Sequence, residues 1–169
     1  MYRDNFKHCT RCGAELSECE IHGKDRLKCN ACGHIQYINP TPAAGVCIIE
    51  HGKILLVKRA TEPKKGMWQI PAGFLEVDED VTDCARREMK EETNLDIELK
   101  GLLGVYSVFD DPRYVCLLIL YRGIVTGGGI LKAGDDAEEA DFFSLETLPP
   151  IAFDSHKKAI SEALPPNKK

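Results

Sequence analysis

The sequence predicts an α+β fold, a mixed sheet with helices on both faces, preceded by a small cysteine-rich ribbon. Three observations lead there. Two Cys-x-x-Cys pairs fall within the first 32 residues. β-branched apolar runs then alternate irregularly with amphipathic helical stretches, and the first two runs are joined by a tight turn, which favours a mixed over a doubly wound parallel sheet. At 169 residues, with 43% hydrophobic and 29% charged, the chain can bury one good core with at most a small appendage.

The ribbon comes first, over residues 1–38. Cys9-Thr-Arg-Cys12-Gly13 and Cys29-Asn-Ala-Cys32-Gly33 each end in a glycine, as expected where a tight turn presents backbone amides to a thiolate. The spacing is that of a structural zinc site; a redox pair and an iron centre are the alternatives. Four thiolates would close a tetrahedral shell and supply folding energy to a piece too small for its own core. Of the remaining cysteines Cys19 is isolated, and Cys47, Cys84 and Cys116 sit in apolar surroundings as small buried hydrophobes. Asn39-Pro40-Thr41-Pro42 reads as a stiff extended linker, because each proline drives its predecessor out of the helical region. The second domain is therefore expected to span 39–169.

Ala43–Glu50 and Lys53–Arg59 form a predicted hairpin turning at His51-Gly52. Met67–Ile70 is a short strand broken by Pro71 and Gly73, and Phe74–Glu79 an acidic loop leading to a helix from about Asp80 to Thr93. Longer strands are expected over Ile97–Phe109 and Tyr114–Val125, then a break at Gly127-Gly128-Gly129 and a last strand over Ala140–Phe143. Asp154–Leu164 is a predicted helix, capped by Asp154 or Ser155 and ended by Pro165-Pro166. The longest apolar runs are too short to cross a bilayer, and Met1–His8 carries charges and no apolar core, so a cytoplasmic protein is expected.

The net charge of −5 is concentrated in one place. Between Glu76 and Glu92 stand Glu76, Asp78, Glu79, Asp80, Asp83, Glu88, Glu91 and Glu92 against Arg86, Arg87 and Lys90, so the rest of the chain is neutral. At 3.6 residues per turn Val81, Cys84, Ala85, Glu88, Glu91, Glu92 and Leu95 share one face, with Met89 clear of it. Carboxylates on a packing face require a cation among them. Oxygen ligands in a wet cleft suit Mg²⁺ or Mn²⁺, and the strand break at Pro71-Ala72-Gly73 offers a bare carbonyl as a further ligand. The competing account is an ordinary charged surface helix with i,i+4 pairs. Arg87 is placed to reach Glu91 by that relation or to fold back on Glu79.

The stretch from Gly73 through Glu79 to Arg87-Glu88-Met89-Lys90-Glu91-Glu92-Thr93-Asn94-Leu95 resembles the Nudix box, Gly-x5-Glu-x7-Arg-Glu-U-x-Glu-Glu-x-Gly-U. One position departs: Asn94 stands for glycine, and asparagine is the residue best able to take glycine's left-handed place at a helix end. Trp68-Gln-Ile-Pro-Ala-Gly73 is similar to the family's approach to the box, and Gly134-Asp-Asp-Ala-Glu138-Glu139-Ala-Asp-Phe142-Phe143 to its late loop and strand. With the four cysteines, the chain resembles the zinc-ribbon branch of Nudix hydrolases, which includes NADH pyrophosphatases and FAD/ADP-ribose pyrophosphatases.

The resemblance implies a Nudix-type α/β/α sandwich that cleaves a nucleoside diphosphate linked to another group by attack of water on phosphorus. It implies Glu88 and Glu92 as metal ligands, Glu91 as a further ligand or base, and the Ala72 or Gly73 carbonyl as an added ligand. Glu79 would hold the loop through Arg87, and Glu138, with Glu139 as rival, would be a late-loop base or ligand. The Ser-Gln-Pro-Trp-x-Phe-Pro motif of NADH pyrophosphatases is missing where this chain has Tyr106-Ser-Val-Phe109-Asp-Asp-Pro112-Arg113-Tyr114, which disfavours NAD(H). Pro112 lies near a proline of ADP-ribose pyrophosphatases, and Ile151-Ala-Phe153-Asp-Ser155 resembles the Ala-Phe-x-Ser stretch of FAD/ADP-ribose relatives, so ADP-ribose or FAD is the expected substrate. Trp68, Phe74, Phe109 and Tyr114 are candidates to stack an adenine, against the ordinary role of aromatics in cores.

Free nucleoside triphosphates are the rival substrates within this chemistry. From another class comes an idle Nudix-like module whose ribbon recruits RNA or a protein. No box carboxylate is missing, and in the ribbon Lys7, Arg11, Lys24, Arg26 and Lys28 are offset by Glu15, Glu18, Glu20 and Asp25, so no nucleic-acid partner is expected. A homodimer built on the ribbon and the early hairpin is compatible with the sequence.

Overall fold

The computed structural model describes residues 6–134 and 136–164. The chain divides into two compact units, Met1–Pro40 and Thr41–Lys169. The first is an antiparallel ribbon of β1 (Leu16–Ile21), β2 (Lys24–Cys29) and β3 (Ile35–Gln36). The turn between β1 and β2 puts His22 and Gly23 at φ 53° and 71°, the left-handed pair that matches strand twist in a two-residue hairpin. Among the described residues of this unit only Cys9, Leu27 and Cys29 are buried. That is no hydrophobic core.

In the second unit β4 (Thr41–Glu50) organises the sheet. One edge runs parallel to β9 (Cys116–Gly128), pairing Thr41 with Cys116 through to Ile48 with Gly123. The other edge is shared: its first half pairs with β7 (Ala72–Phe74), its last residues with β5 (Lys53–Arg59). β6 (Trp68–Gln69) and β10 (Ala137–Ser144) flank β5, and β8 (Leu95–Val108) lies outside β9, giving the order β10-β5-β4-β9-β8. Among the described strand pairings of this unit only β4–β9 is parallel, and an isolated parallel bridge joins Trp68 to Ile151.

Side chains alternate across this sheet and select the two helices. Ala44, Val46 and Ile48 of β4 with Leu55 of β5 pack on Cys84, Ala85 and Met89 of α1 (Val81–Thr93). Ala43 and Cys47 with Ile54 and Leu56 pack on Ala159, Ile160 and Ala163 of α2 (Asp154–Ala163). The fold is thus the expected sandwich, with one helix on each face of a mixed sheet.

Several expectations move. Thr41 and Pro42, read as linker, already belong to β4, because Thr41 N–H donates to the Val115 carbonyl at the start of the parallel ladder. Residues 72–74, read as a break, pair with β4, where a side chain on Gly45 would collide with the Pro71 carbonyl 2.3 Å away. Phe153, with no side-chain cap bond, is the N-cap of α2, and Asp154 sits in its first turn instead of capping it. Pro165 and Pro166 lie outside the described residues.

The face of α1 is also turned from the predicted stripe. Met89 is fully buried and Thr93 with it, whereas the Glu91 side chain is 59% exposed. Positions 84, 85, 88, 89, 92 and 93 form the inward face, so the glutamates occupy its margin and apolar contacts its centre.

Candidate active site

The site is built where α1 crosses β7. Asp80 caps the helix by accepting from Thr82 N–H at 2.9 Å, and Asn94 ends it at φ 62°, donating its N–H to the Lys90 carbonyl. Between them Glu88 and Glu92, one turn apart, approach β7. Ala72 N–H donates to Glu92 Oε2 at 3.0 Å. A Cβ on Gly73 would lie 2.2 Å from the Glu88 carboxylate, so the glycine makes room for that carboxylate.

Both acids are strained electrostatically. Burial and the neighbouring Glu88 charge push Glu92 up to about 8, with Asp136 adding to the effect and the Ala72 amide opposing it. Glu88 is raised by burial, against the pull of Arg87. Arg87 makes the surrounding frame. It grips both oxygens of Glu79 at 2.8 Å and donates to Glu88 Oε1 at 2.6 Å, Glu91 Oε2 at 3.0 Å and the Phe74 carbonyl at 3.0 Å. The guanidinium hydrogen bonds hold the Glu79 carboxyl down at about 2. Arg87 therefore reaches both partners the sequence offered it, and Glu79 ties the loop.

A cavity of about 350 Å³ opens over these groups, lined by Glu88, Glu91, Glu92, Gly134 and Asp136. Gly134 is locked against the helix end, its N–H donating to the Glu92 carbonyl, with no room for a Cβ beside Glu91 O. This delivers Asp136 to the cavity. Glu138 is not among its lining residues: the register shift between Ala137 and Glu139 leaves Glu138 without a strand partner, and it pairs with Lys58 at 3.8 Å and Lys65 at 3.6 Å. Glu139 also pairs with Lys58, at 2.6 Å. The donor set of clustered carboxylates and carbonyls on one wet cavity fits a hard divalent cation.

Across β7 lies a second cavity, about 110 Å³, lined among others by Arg59, Gln69, Phe74, Tyr114, Phe153 and His156. Of the aromatic candidates, Phe74 and Tyr114 meet edge to face there at 5.1 Å. Trp68 does not reach it: the ring is buried against Phe143 at 4.5 Å in the core under α2, which removes it as a stacking platform. Phe109 is 74% exposed and lines neither cavity. Asp111, almost wholly buried, holds Arg113 through both carboxylate oxygens, and Arg113 reaches the Glu62 carbonyl, closing this side of the cleft.

Asp136, Arg59, Gln69 and His156 were not singled out from the sequence. His156 had a signal: it shares the helical face of Ala159, Ile160 and Ala163. For Asp136 the deciding facts are the anchoring of Gly134 on the helix end and the bulge that turns Glu138 away, and neither leaves a mark in hydrophobic periodicity.

In the ribbon the Sγ atoms of Cys9, Cys12, Cys29 and Cys32 lie within 4.8 Å of one another, with Cys9–Cys32 at 3.7 Å and Cys12–Cys29 at 3.5 Å. A tetrahedral ion with Zn–S bonds of about 2.3 Å requires sulfur separations of about 3.8 Å, so the four thiols fit zinc. Gly13 and Gly33, both at φ 75°, fold the two knuckles alike by donating to the Cys9 and Cys29 carbonyls.

A family model described as the NUDIX domain matches residues 39–164. The chain belongs to the Nudix family. The ADP-ribose pyrophosphatase of Methanocaldococcus jannaschii is 47% identical over 128 residues, covering 75% of this chain and 74% of that protein. The NAD-capped RNA hydrolase NudC of Pseudomonas aeruginosa is 27% identical over 145 residues, 86% of this chain; the chain spans half the length of that relative. A crystal structure of a NUDIX hydrolase from Nitrosomonas europaea superposes with a TM-score of 0.78 at 31% identity, over 93% of this chain and 92% of that one. This Nudix domain is an enzyme, a hydrolase of phosphoric anhydrides. Among its described residues no helix is long and apolar enough to cross a membrane.

Proposed function

We propose that this Nudix hydrolase cleaves the diphosphate of ADP-ribose or a closely related nucleoside diphosphate conjugate such as FAD, using Mg²⁺ or Mn²⁺. The observation that carries the reading is the pairing of Glu88 and Glu92 against β7. A half-buried and a buried acid one turn apart, their ionisation opposed by burial and by neighbouring charge, would be stabilised as anions by a divalent cation. Glu88, Glu92 and the Ala72 or Gly73 carbonyl would hold it, with Glu91 and Asp136 on the open side of the cavity. A divalent ion there supplies charge neutralisation for the diphosphate and activation of water.

The residues of the chain divide the remaining work. Arg87 and Glu79 keep the Gly73–Glu79 loop fixed and hold Glu88 in place. Glu91 and Asp136, at the wet edge, are the groups positioned to take a proton from the attacking water, and Asp136 replaces Glu138 as the late-loop acid of the site. The four cysteines hold zinc as a structural ion, and the ribbon of residues 1–38 is a domain of its own.

The similarity to the M. jannaschii ADP-ribose pyrophosphatase supports the substrate. Incubation of the purified protein with Mg²⁺ and a panel of ADP-ribose, FAD, NADH, NAD-capped RNA and nucleoside triphosphates tests it. The highest kcat/KM is expected for ADP-ribose or FAD; a preference for a triphosphate or for capped RNA would overturn the assignment.

A further inference from the structure

His156 is 4% exposed, and its Nδ1 accepts the Ile70 backbone N–H at 3.1 Å. A neutral imidazole that accepts at Nδ1 carries its proton on Nε2. Burial and the nearby Arg59 charge keep it neutral, lowering it to about 4. No partner for Nε2 exists among the described residues, yet Nε2 is not sealed in the core: Ser155 Oγ is the only such buried, unpartnered side-chain atom. The ring lines the 110 Å³ cavity, and Nε2–H is the donor it has left for a ligand there.

Gln69 stands beside it in the same condition. Its Oε1 is taken by Arg59 Nη1 at 2.8 Å, which turns its amide NH₂ away as a second donor. Arg59 itself donates to neutral oxygens, the Pro63 carbonyl at 2.9 Å and the Thr61 carbonyl at 3.5 Å, and keeps part of its five-donor fork. Its charge is felt at Glu92, across β7. The one carboxylate lining this cavity, Asp111, is held by Arg113. Arg59, Gln69 and His156 thus offer donors on one part of the cavity wall, with the Asp111 carboxylate engaged by Arg113, which also lines the cavity; Ala72 and Gly73 of the same wall touch Glu92 and Glu88.

We propose that Arg59, Gln69 and His156 form an anion subsite that grips phosphoryl oxygens of the substrate's diphosphate on the side of β7 opposite the carboxylates. This rests on the reading of the chain as a diphosphate hydrolase, and it assigns these residues to substrate positioning. Three donors converging from Arg59, Gln69 and His156 suit phosphoryl oxygens, which accept and never donate when ionised; an adenine edge, with its amino group, would set a donor against them. Phe74, Tyr114 and Phe153 then flank the group attached to that phosphoryl.

The test uses the zinc-loaded full chain with Mg²⁺ and imidodiphosphate, a non-hydrolysable diphosphate. Titration followed by ¹⁵N spectra of the imidazoles is expected to shift the His156 Nε2–H signal in step with binding measured by calorimetry. Arg59→Ala is expected to weaken binding about 10- to 100-fold, the loss of a charge-assisted contact, and Arg59→Lys less; Lys100→Ala, on the exposed β8, leaves it unchanged. Saturable binding with a silent His156 signal, equal affinity in a folded Arg59→Ala variant, or no binding at all overturns the proposal. Should Arg59→Ala fail to fold, the His156 signal of the unaltered protein decides. Imidodiphosphate seated on His156 without ADP-ribose turnover sinks the substrate reading alone, and turnover with a silent His156 sinks the subsite alone.

Discussion

Glu92 is asked to be an anion where burial disfavours one, and this has a measurable sign. Its folded pKa is raised from the ordinary 4.5 to about 8, so the folded state favours the protonated form. Stability is then full below about pH 4.5 and falls as pH rises toward 8. Thermal unfolding without Mg²⁺ is expected to show a Tm that declines across that window, and added Mg²⁺ to restore it most at the alkaline end. Glu92→Gln should flatten the decline while lowering kcat by about 10²- to 10³-fold, the scale of losing a preorganised electrostatic group. A Tm profile unchanged by the substitution would place the strain elsewhere. Gly73→Ala acts on the same pair by displacement: with 2.2 Å between the new methyl and the Glu88 carboxylate, kcat/KM is expected to fall at least about 100-fold, since small misplacements at a reacting centre are that costly. Steady-state kinetics alongside a cooperative melt separates this from unfolding.

Secondary elements were legible in proportion to their length and regularity. The hairpin at His51-Gly52, the helix beginning after Asp80 and the long strands β8 and β9 follow from periodicity and punctuation, and the four thiols from spacing alone. The three-residue β7 did not show, because its pairing is set by a tertiary neighbour, β4, and not by its own pattern. The inward face of α1 is turned from the stripe that periodicity predicts, because a run of glutamates marks the packing face poorly: Met89 and Thr93 are buried in it and Glu91 lies outside. Even so the acids that matter stood on the buried side. The left-handed ending at Asn94, expected from the resemblance that puts asparagine in a glycine's place, is found at φ 62°. Asn94→Gly is expected to change stability by only a few tenths of a kcal/mol, and Asn94→Val to cost about 1–2 kcal/mol, since a β-branched residue resists that conformation. Urea unfolding measures both.

At the scale of the whole chain, the ribbon stands out as the part without a core. Its folding should depend on the metal: removing zinc, or Cys12→Ser, is expected to collapse the amide spectrum of residues 6–40 while that of residues 41–164 keeps its dispersion, in the manner of small domains whose binding energy is their folding energy. Loss of dispersion in both sets would show that the Nudix domain leans on the ribbon.

The opposed helices have a consequence for how such an enzyme changes. The acids that would perform the reaction belong to α1, while Phe153 and His156, which wall the neighbouring cavity, belong to the entrance and first turn of α2, stitched to β6 by the Trp68–Pro150 and Ala152–Trp68 hydrogen bonds. A sheet separates the two. The acids can therefore keep their packing on one face of the sheet while Phe153, at the entrance to the other helix, is exchanged to admit a different group beside the diphosphate.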